Sequence, residues 1–218
     1  MTNITNEYIV QEELIVFARN QDILTTTERH VTTTSLSFTY ASGTPSFNLS
    51  NTAVKNIRYV TVGGSTMSVY RDYTPSYNAG TFTLSATPAP GVQVVARYDY
   101  GNPDTVYSEL PREIVDRMSL PRLKVQVMAE NTEEFALGAG SNITDRFISF
   151  QVYATTVKKV NTCVTNIRTS VLSNKKNFYS FPFITPKRTS RMGQDISQEP
   201  EIFSKSVDCD GRFAVERV

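Results

Sequence analysis

Residues 145–174, DRFISFQVYATTVKKVNTCVTNIRTSVLSN, change periodicity half-way, and that change decides how the chain is read. Ile148, Phe150, Val152 and Ala154 alternate with Phe147, Ser149, Gln151 and Tyr153, the period of a strand with one buried face. From Val157 onward the apolar residues are Val157, Val160, Val164, Ile167 and Val171, with Cys163 on the same side. Their spacing of three and four marks a helix with a single apolar stripe, packed on one face of a sheet. The stripe is mostly β-branched and has weak intrinsic helix propensity, so packing must hold the segment helical.

Upstream, Leu123, Val125 and Val127 alternate with Lys124 and Gln126 as another half-buried strand. The polar, glycine-bearing NTEEFALGAGSNITD then reads as a long hairpin loop, which makes the two strands an antiparallel pair. Pro111 and Pro121 limit any helix between them to a short one. Downstream, NFYSFPFITPKRTSRMGQ predicts an aromatic strand that breaks up at Pro186, and IFSKSVDCDGRFAVERV a final strand with a bend near Gly211. At the other end, Asn6 to about Leu24 predicts a helix. Asn6 is the N-cap, Glu7 favours the dipole of the first turn, and Tyr8, Val10, Leu14, Ile15, Phe17 and Ala18 give an apolar face.

Between these segments the composition turns to threonine, serine, tyrosine and valine. SLSFTY carries Leu36, Phe38 and Tyr40 on one face, and RYVTVGGSTMSVY reads as two strands about a Gly63-Gly64 turn. TFTLSA and VQVVARYDY follow, with Val92, Val94, Ala96, Tyr98 and Tyr100 opposite Gln93, Arg97 and Asp99, so five or six strands are expected. The predicted organisation is an α+β core from residues 1–27 and 103–218, a mixed or antiparallel sheet flanked by helices. It is interrupted by an inserted small antiparallel β-sandwich over residues 28–102. The N-terminal helix needs an apolar partner and the C-terminal sheet has an uncovered face. Packing of that helix on the β-rich stretch alone is the competing arrangement.

The 218 residues are 39% hydrophobic and 11% aromatic, enough for a core. A formal charge of +1 gives no global field that would gather nucleic acid or an anionic membrane. No apolar run approaches the roughly 20 residues that span a bilayer, and the N-terminus lacks the pattern of a signal peptide, so synthesis in the cytoplasm is expected. Cys163 and Cys209 are far apart in sequence with no nearby histidine, which suggests neither a disulfide framework nor a zinc site. Cys163 reads as a small core residue.

No catalytic, cofactor or metal site is expected. His30, the single histidine, has no nucleophile or carboxylate at a useful spacing and reads as a surface residue. VGGST separates two strands and lacks the Gly-Lys-Ser/Thr that opens a phosphate-binding helix. LGAG at Leu137 to Gly140 reads as a loop tip, and Glu133 and Glu134 as a solvated pair in the same loop. Asn3, Asn48 and Asn142 match glycosylation sequences by coincidence.

One charge feature is informative. Residues 146–194 contain nine basic residues and no acid, whereas residues 99–145 hold nine acidic against four basic residues. Beside the plain reading of solvated faces, this split suits a head-to-tail contact in which one copy's basic face meets its neighbour's acidic face, with Lys158, Lys159, Arg168, Glu133 and Glu134 as candidate interface residues. Backbone contact to DNA is the weaker alternative, because the basic residues are not set in a binding motif.

The order helix, LPRLKVQV, loop, RFISFQVYATTVKKVNTCVTNIRTSVL and closing strand resembles the tail terminator, or tail completion, proteins of tailed bacteriophages and their archaeal virus relatives. The strand ending VYA before the helix ending IRTSVL is the most specific part. The stretch IRYVTVGGSTMSVYRDYTPSYNAGTFTLSATPAPGVQVVARYDYG is similar to a small β domain of phage structural proteins. The resemblance covers most of the chain in pattern, although terminators are usually smaller and the β-rich insertion departs from them. It implies a homohexameric ring in the neck of a virion that caps the tail tube and joins it to the head connector or stopper. DNA would pass through the lumen without sequence-specific binding, and no enzyme activity, cofactor or membrane is implied. Another neck component, or a β-sandwich module binding a glycan or protein through Tyr59, Tyr70, Tyr73 and Tyr77, are the alternatives.

Overall fold

The computed structural model describes residues 7–102, 104–108, 120–134, 141–180, 182–196 and 201–216. The expected Asn6 cap, a short helix ahead of Pro121 and the Leu137–Gly140 tip concern residues outside that set. The chain begins with helix α1 (Glu7–Asn20) and forms two compact units, Thr25–Asp104 and the combination of Met1–Leu24 with Thr105–Val218.

The Thr25–Asp104 unit is two antiparallel sheets. Strands β1 (Thr32–Thr39), β7 (Gln93–Tyr100), β3 (Val54–Val62) and β4 (Ser65–Met67) lie in that order in one. Strands β2 (Ser46–Asn48), β6 (Thr81–Leu84) and β5 (Tyr73–Ser76) form the other. Among the described residues this makes seven strands rather than five or six. The extra ones, β2 and the Pro75-bearing β5, are short edge strands whose alternation is too brief to read. Val60, Val94, Ala96 and Tyr98 of the first sheet share one core with Phe47, Tyr73, Phe82 and Leu84 of the second, with Phe47 stacked on Phe82 at 5.1 Å. Gly63 and Gly64, at φ 56° and 86°, make the β3–β4 turn as the hairpin requires.

A buried ion network lies beside the end of β7 in this unit. Arg29 is fully buried and donates from Nη1 to Asp99 at 2.9 Å and from Nη2 to Asp104 at 3.1 Å. Bulges in β3 on either side of Asn56–Ile57 bring Arg58 Nε to the other Asp99 oxygen at 2.7 Å, where Thr33 also donates. Burial pushes the Asp99 carboxyl up, but the hydrogen bonds from Arg58 and Thr33 and the charges of Arg29 and Arg58 outweigh it and hold it below the ordinary 3.8. Gly101 sits beside this network at φ 139°, and a Cβ there would lie 2.6 Å from the His30 carbonyl oxygen. His30 itself is exposed, as expected.

In the other unit, β8 (Val106–Tyr107), β9 (Arg122–Glu134), β10 (Ser141–Ala154), β11 (Phe183–Thr189), β12 (Gly193–Asp195) and β13 (Ile202–Glu216) form one sheet, with helix α2 (Val157–Ser173) after β10. The order is β11-β13-β10-β9-β8, with β12 paired on β13. Among the described residues only β8 runs parallel to its neighbour in this sheet, so it is mixed and largely antiparallel. The fold class is α+β, as expected. Leu123, Val125 and Val127 of β9 lie opposite Val152, Phe150 and Ile148 of β10, and Val207 and Cys209 of β13 continue the same apolar face.

Both helices pack on that face, α1 over β8 and β9, and α2 over β10, β11 and β13. α1 contributes Val10, Leu14, Ile15 and Ala18, and is tied down by Gln11 Nε2 donating to the Val125 carbonyl and Arg19 Nη2 to that of Val106. The arrangement in which α1 packs on the β-rich stretch alone is therefore not the one adopted. In α2, Val160, Cys163, Val164, Ile167 and Val171 are buried. Val157 is the exception, 43% exposed, because it occupies the first turn just past the Thr156 N-cap.

Two expectations are corrected here. The sequence NTEEFALGAGSNITD is not one long loop: β9 runs to Glu134 and β10 starts at Ser141, with Glu133 opposite Ile143 and Glu134 opposite Asn142. Pairing with β13 through Glu216 continues the ladder where side-chain alternation gives no signal. β11 passes through Pro186 with a register shift before Arg188, which an edge strand tolerates. β13 passes through Gly211 with its pairing unbroken.

Candidate interaction surface

The residues expected at a subunit contact fall at opposite ends of the sheet. α2 follows directly from the end of β10, so Lys158 and Lys159 lie in its first turn, Lys158 exposed and Lys159 half-buried. Glu133 and Glu134 lie in β9 at the hairpin end, eleven residue steps of β10 away from Ala154, roughly 36 Å along the strand. Arg168 is half-buried on α2, and its Nη1 donates to Thr189 Oγ1 of β11 at 3.0 Å, so part of its function is to fasten the helix to the sheet edge. The structure therefore brings Lys158 and Lys159 together, sets Arg168 apart on the flank, and leaves the two glutamates at the far end.

The charge split seen along the chain is largely dissolved by strand pairing. Arg146 is buried, at 2% exposure. Lys187 meets Asp210 at 3.5 Å, Arg188 meets Asp208 at 3.4 Å, and Arg212 pairs with Asp145 at 2.7 Å. Of the nine acids in residues 99–145, Asp99 and Asp104 are consumed by Arg29. α2 has no acidic residue in its first turn and two lysines there instead.

Lysines at that end oppose the helix dipole, at a cost of about 0.3–1 kcal/mol each. Lys158→Glu with Lys159→Glu is therefore expected to raise the thermal midpoint of the isolated chain, read by circular dichroism at low salt. A lowered midpoint would show that the lysines support the fold. Asn161, Thr162, Thr165, Asn166 and Thr169 of α2 are exposed and uncharged, and Leu172 is 49% exposed near its end.

The second open surface is the sheet face turned away from the helices. Lys124, Gln126, Ser149, Gln151 and Tyr153 line it half-exposed, and Phe147 is 46% exposed. The β9 bulge opposite Phe147 and Ile148 leaves Met128 out of register and 63% exposed beside them. Phe147 lies on the face where the alternation of β10 places it, whereas the extra residue at Met128 appears only through the pairing.

The tyrosines do not form a stacking platform. Tyr73 is a core residue, 2% exposed and edge-on to Phe82, and burial pushes its phenol well above the usual 10.0. Tyr70 and Tyr77 are half-buried, and only Tyr59 stands clearly outward. Both cysteines are buried: Cys163 Sγ donates to the Ile23 carbonyl at 3.6 Å, and burial, with the nearby Asp208 and Asp210 charges, pushes the Cys209 thiol up to about 12.

Glu13 of α1 is 6% exposed and accepts from the backbone N–H groups of Tyr179 and Ser180, pinning the α2–β11 connection while Phe178 packs on Phe17. Burial raises its carboxyl above the ordinary 4.5, and these hydrogen bonds only partly oppose that. A raised acid contributes stability that is complete below its unfolded pKa and is lost as pH rises through the folded one. The stability of the native chain relative to Glu13→Gln should therefore fall as pH rises above the ordinary 4.5; a pH-independent difference would contradict this assignment.

No protein-family model, curated protein or solved structure matches the chain. Among the described residues there is no group of three or more His, Cys, Asp and Glu side chains placed to hold a metal, and no helix long and apolar enough to cross a membrane.

Proposed function

We propose that this chain is a structural component of a virion neck, a tail terminator. Copies assemble head to tail into a homohexameric ring that closes the tail tube and joins it to the head connector, with DNA passing through the lumen. The observation that supports this reading best is the one-sided sheet. Both helices cover one face, while strands of up to 15 residues, roughly 50 Å long, run well beyond the roughly 26 Å that α2 can cover. Such a layer leaves strand length and a half-exposed face for neighbours, as a ring subunit requires. The Thr25–Asp104 sandwich has its own core and serves as an attached module of the ring. Function on this reading is assembly, and the chain is not an enzyme.

The test is to mix the purified chain with tail tubes assembled without a terminator and image them in negative stain. Tubes capped at one end by a six-fold ring, and unable to elongate further, are the expected result. Tubes that keep growing with bare ends in the presence of excess chain would rule the proposal out.

A further inference from the structure

With one exception, the outermost strands of the three sheets are short or interrupted. β2, β4, β8 and β12 have two or three residues each, β5 has Pro75 among its four, and β11 carries Pro186, Lys187, Arg188 and a register shift. These are the features that keep a sheet edge from accepting a further strand. β1 has none of them. Its eight residues, TTTSLSFT, include no charge, proline or glycine, and they pair with β7 from Thr32 to Thr39 without a shift. Among the described residues no strand lies on its other side. We infer that this edge is a docking surface for a second copy of the chain, β1 of one copy pairing antiparallel with β1 of the other about a two-fold axis at Leu36.

The backbone fixes which groups are on offer. Tyr40 N–H donates to the Val92 carbonyl at 2.9 Å, and strand alternation from there turns the N–H and C=O groups of Thr34, Leu36 and Phe38 toward β7. Those of Thr33, Ser35, Ser37 and Thr39 point to the free edge. This set is centred on Leu36, so a two-fold there uses all of it: Ser35 of one copy faces Ser37 of the other, and Thr33 faces Thr39. The axis stands across the sheet, so each face meets its own kind. Exposed Ser35 and Ser37 bring hydroxyls together on the outer face, a pairing that favours strand association and sets no like charges against each other. On the inner face Leu36 and Phe38 are only half-buried at the margin of the sandwich core, with Phe38 5.2 Å from Phe47 of the edge strand β2, and a second copy covers the apolar surface they leave open. Such an interface is isologous and saturates at the dimer. It neither requires nor excludes a six-fold ring, and stands independently of the terminator reading.

The experiment is sedimentation velocity of the full chain over a concentration series, with hydrogen exchange read across residues 32–39 at both ends of the series. The native chain is expected to form a dimer as concentration rises, with exchange in β1 slowing as it does. Ser35→Lys with Ser37→Lys places like charges across the axis and should weaken pairing ~tenfold or more, as should Ser35→Glu with Ser37→Glu. Mixing the two variants should restore a dimer containing one of each. Ser37→Pro removes an N–H that points to the free edge and not to β7, so it should weaken the dimer while the thermal midpoint stays near that of the native chain. A native chain that remains monomeric to its solubility limit, as an edge reserved for a strand of another protein would leave it, overturns the proposal. So does a dimer that persists in both charged variants, or a mixture that forms no mixed dimer.

Discussion

Arg29→Ala should destabilise the Thr25–Asp104 unit by about 3–5 kcal/mol, the cost of leaving buried charge without its partner. Arg29 is fully buried, and its loss removes the guanidinium paired with Asp104, which is 6% exposed, and one of the two cations facing Asp99. Stability of that size approaches the whole margin of a small domain. Hydrogen exchange read peptide by peptide should show protection lost across β1, β3 and β7 while β9, β10 and α2 keep theirs. A double-mutant cycle sharpens this: in an Asp104→Ala background the same Arg29 substitution should cost less, because one of the two carboxylates paired with it is already gone. The acid side has a matching sign. Asp99 is held below its ordinary 3.8, so its contribution is complete above that value and is lost as pH falls through the folded pKa, a dependence that Asp99→Asn should flatten. Uniform loss of protection over the whole chain in Arg29→Ala would mean that the network does not belong to one unit.

Phe150→Ala should have the complementary effect. Phe150 is fully buried on β10, the strand between β9 and β13, with Val125 and Val207 beside it in register. Truncating it removes a large apolar side chain from a site walled by paired strands and α2, where collapse into the cavity is limited, and the expected cost is about 3–5 kcal/mol. Exchange should accelerate in β9, β10, β13 and both helices, with β1, β3 and β7 unchanged. Because α2 is rich in β-branched residues and leans on this face, its amides should lose protection together with those of β10. Survival of α2 protection in Phe150→Ala would show that the helix is stable independently of the sheet.

The parts of the fold legible in the sequence were those with strict periodicity and one buried side. The stripe from Val160 to Val171, the alternation from Ile148 to Ala154 and the face of α1 each reflect a single partner surface, and each forms where its pattern places it. What could not be read depends on residues distant in sequence. The ladder through Glu134, Ser141 and Glu216 is made of polar residues whose strand state is set by neighbouring strands. Asp99 sits on the outward side of β7, yet it is buried because Arg29, 70 positions earlier, comes down on it. The charge split was real in the chain and mostly absent from the folded surface, since β13 brings Asp208 and Asp210 to Arg188 and Lys187. Of the candidate contact residues, Lys158 and Lys159 lie on an exposed turn, Arg168 is shared with the sheet edge, and Glu133 and Glu134 lie on a strand where a loop was expected.

The most direct measurement of the proposed role is copy number: native mass spectrometry of the 24.4 kDa chain from low-ionic-strength solution, alone and after mixing with tail tubes. A closed homohexamer, formed alone or on the tube, is the expected species. A single-copy species under both conditions, with no tube-bound form, would contradict the ring.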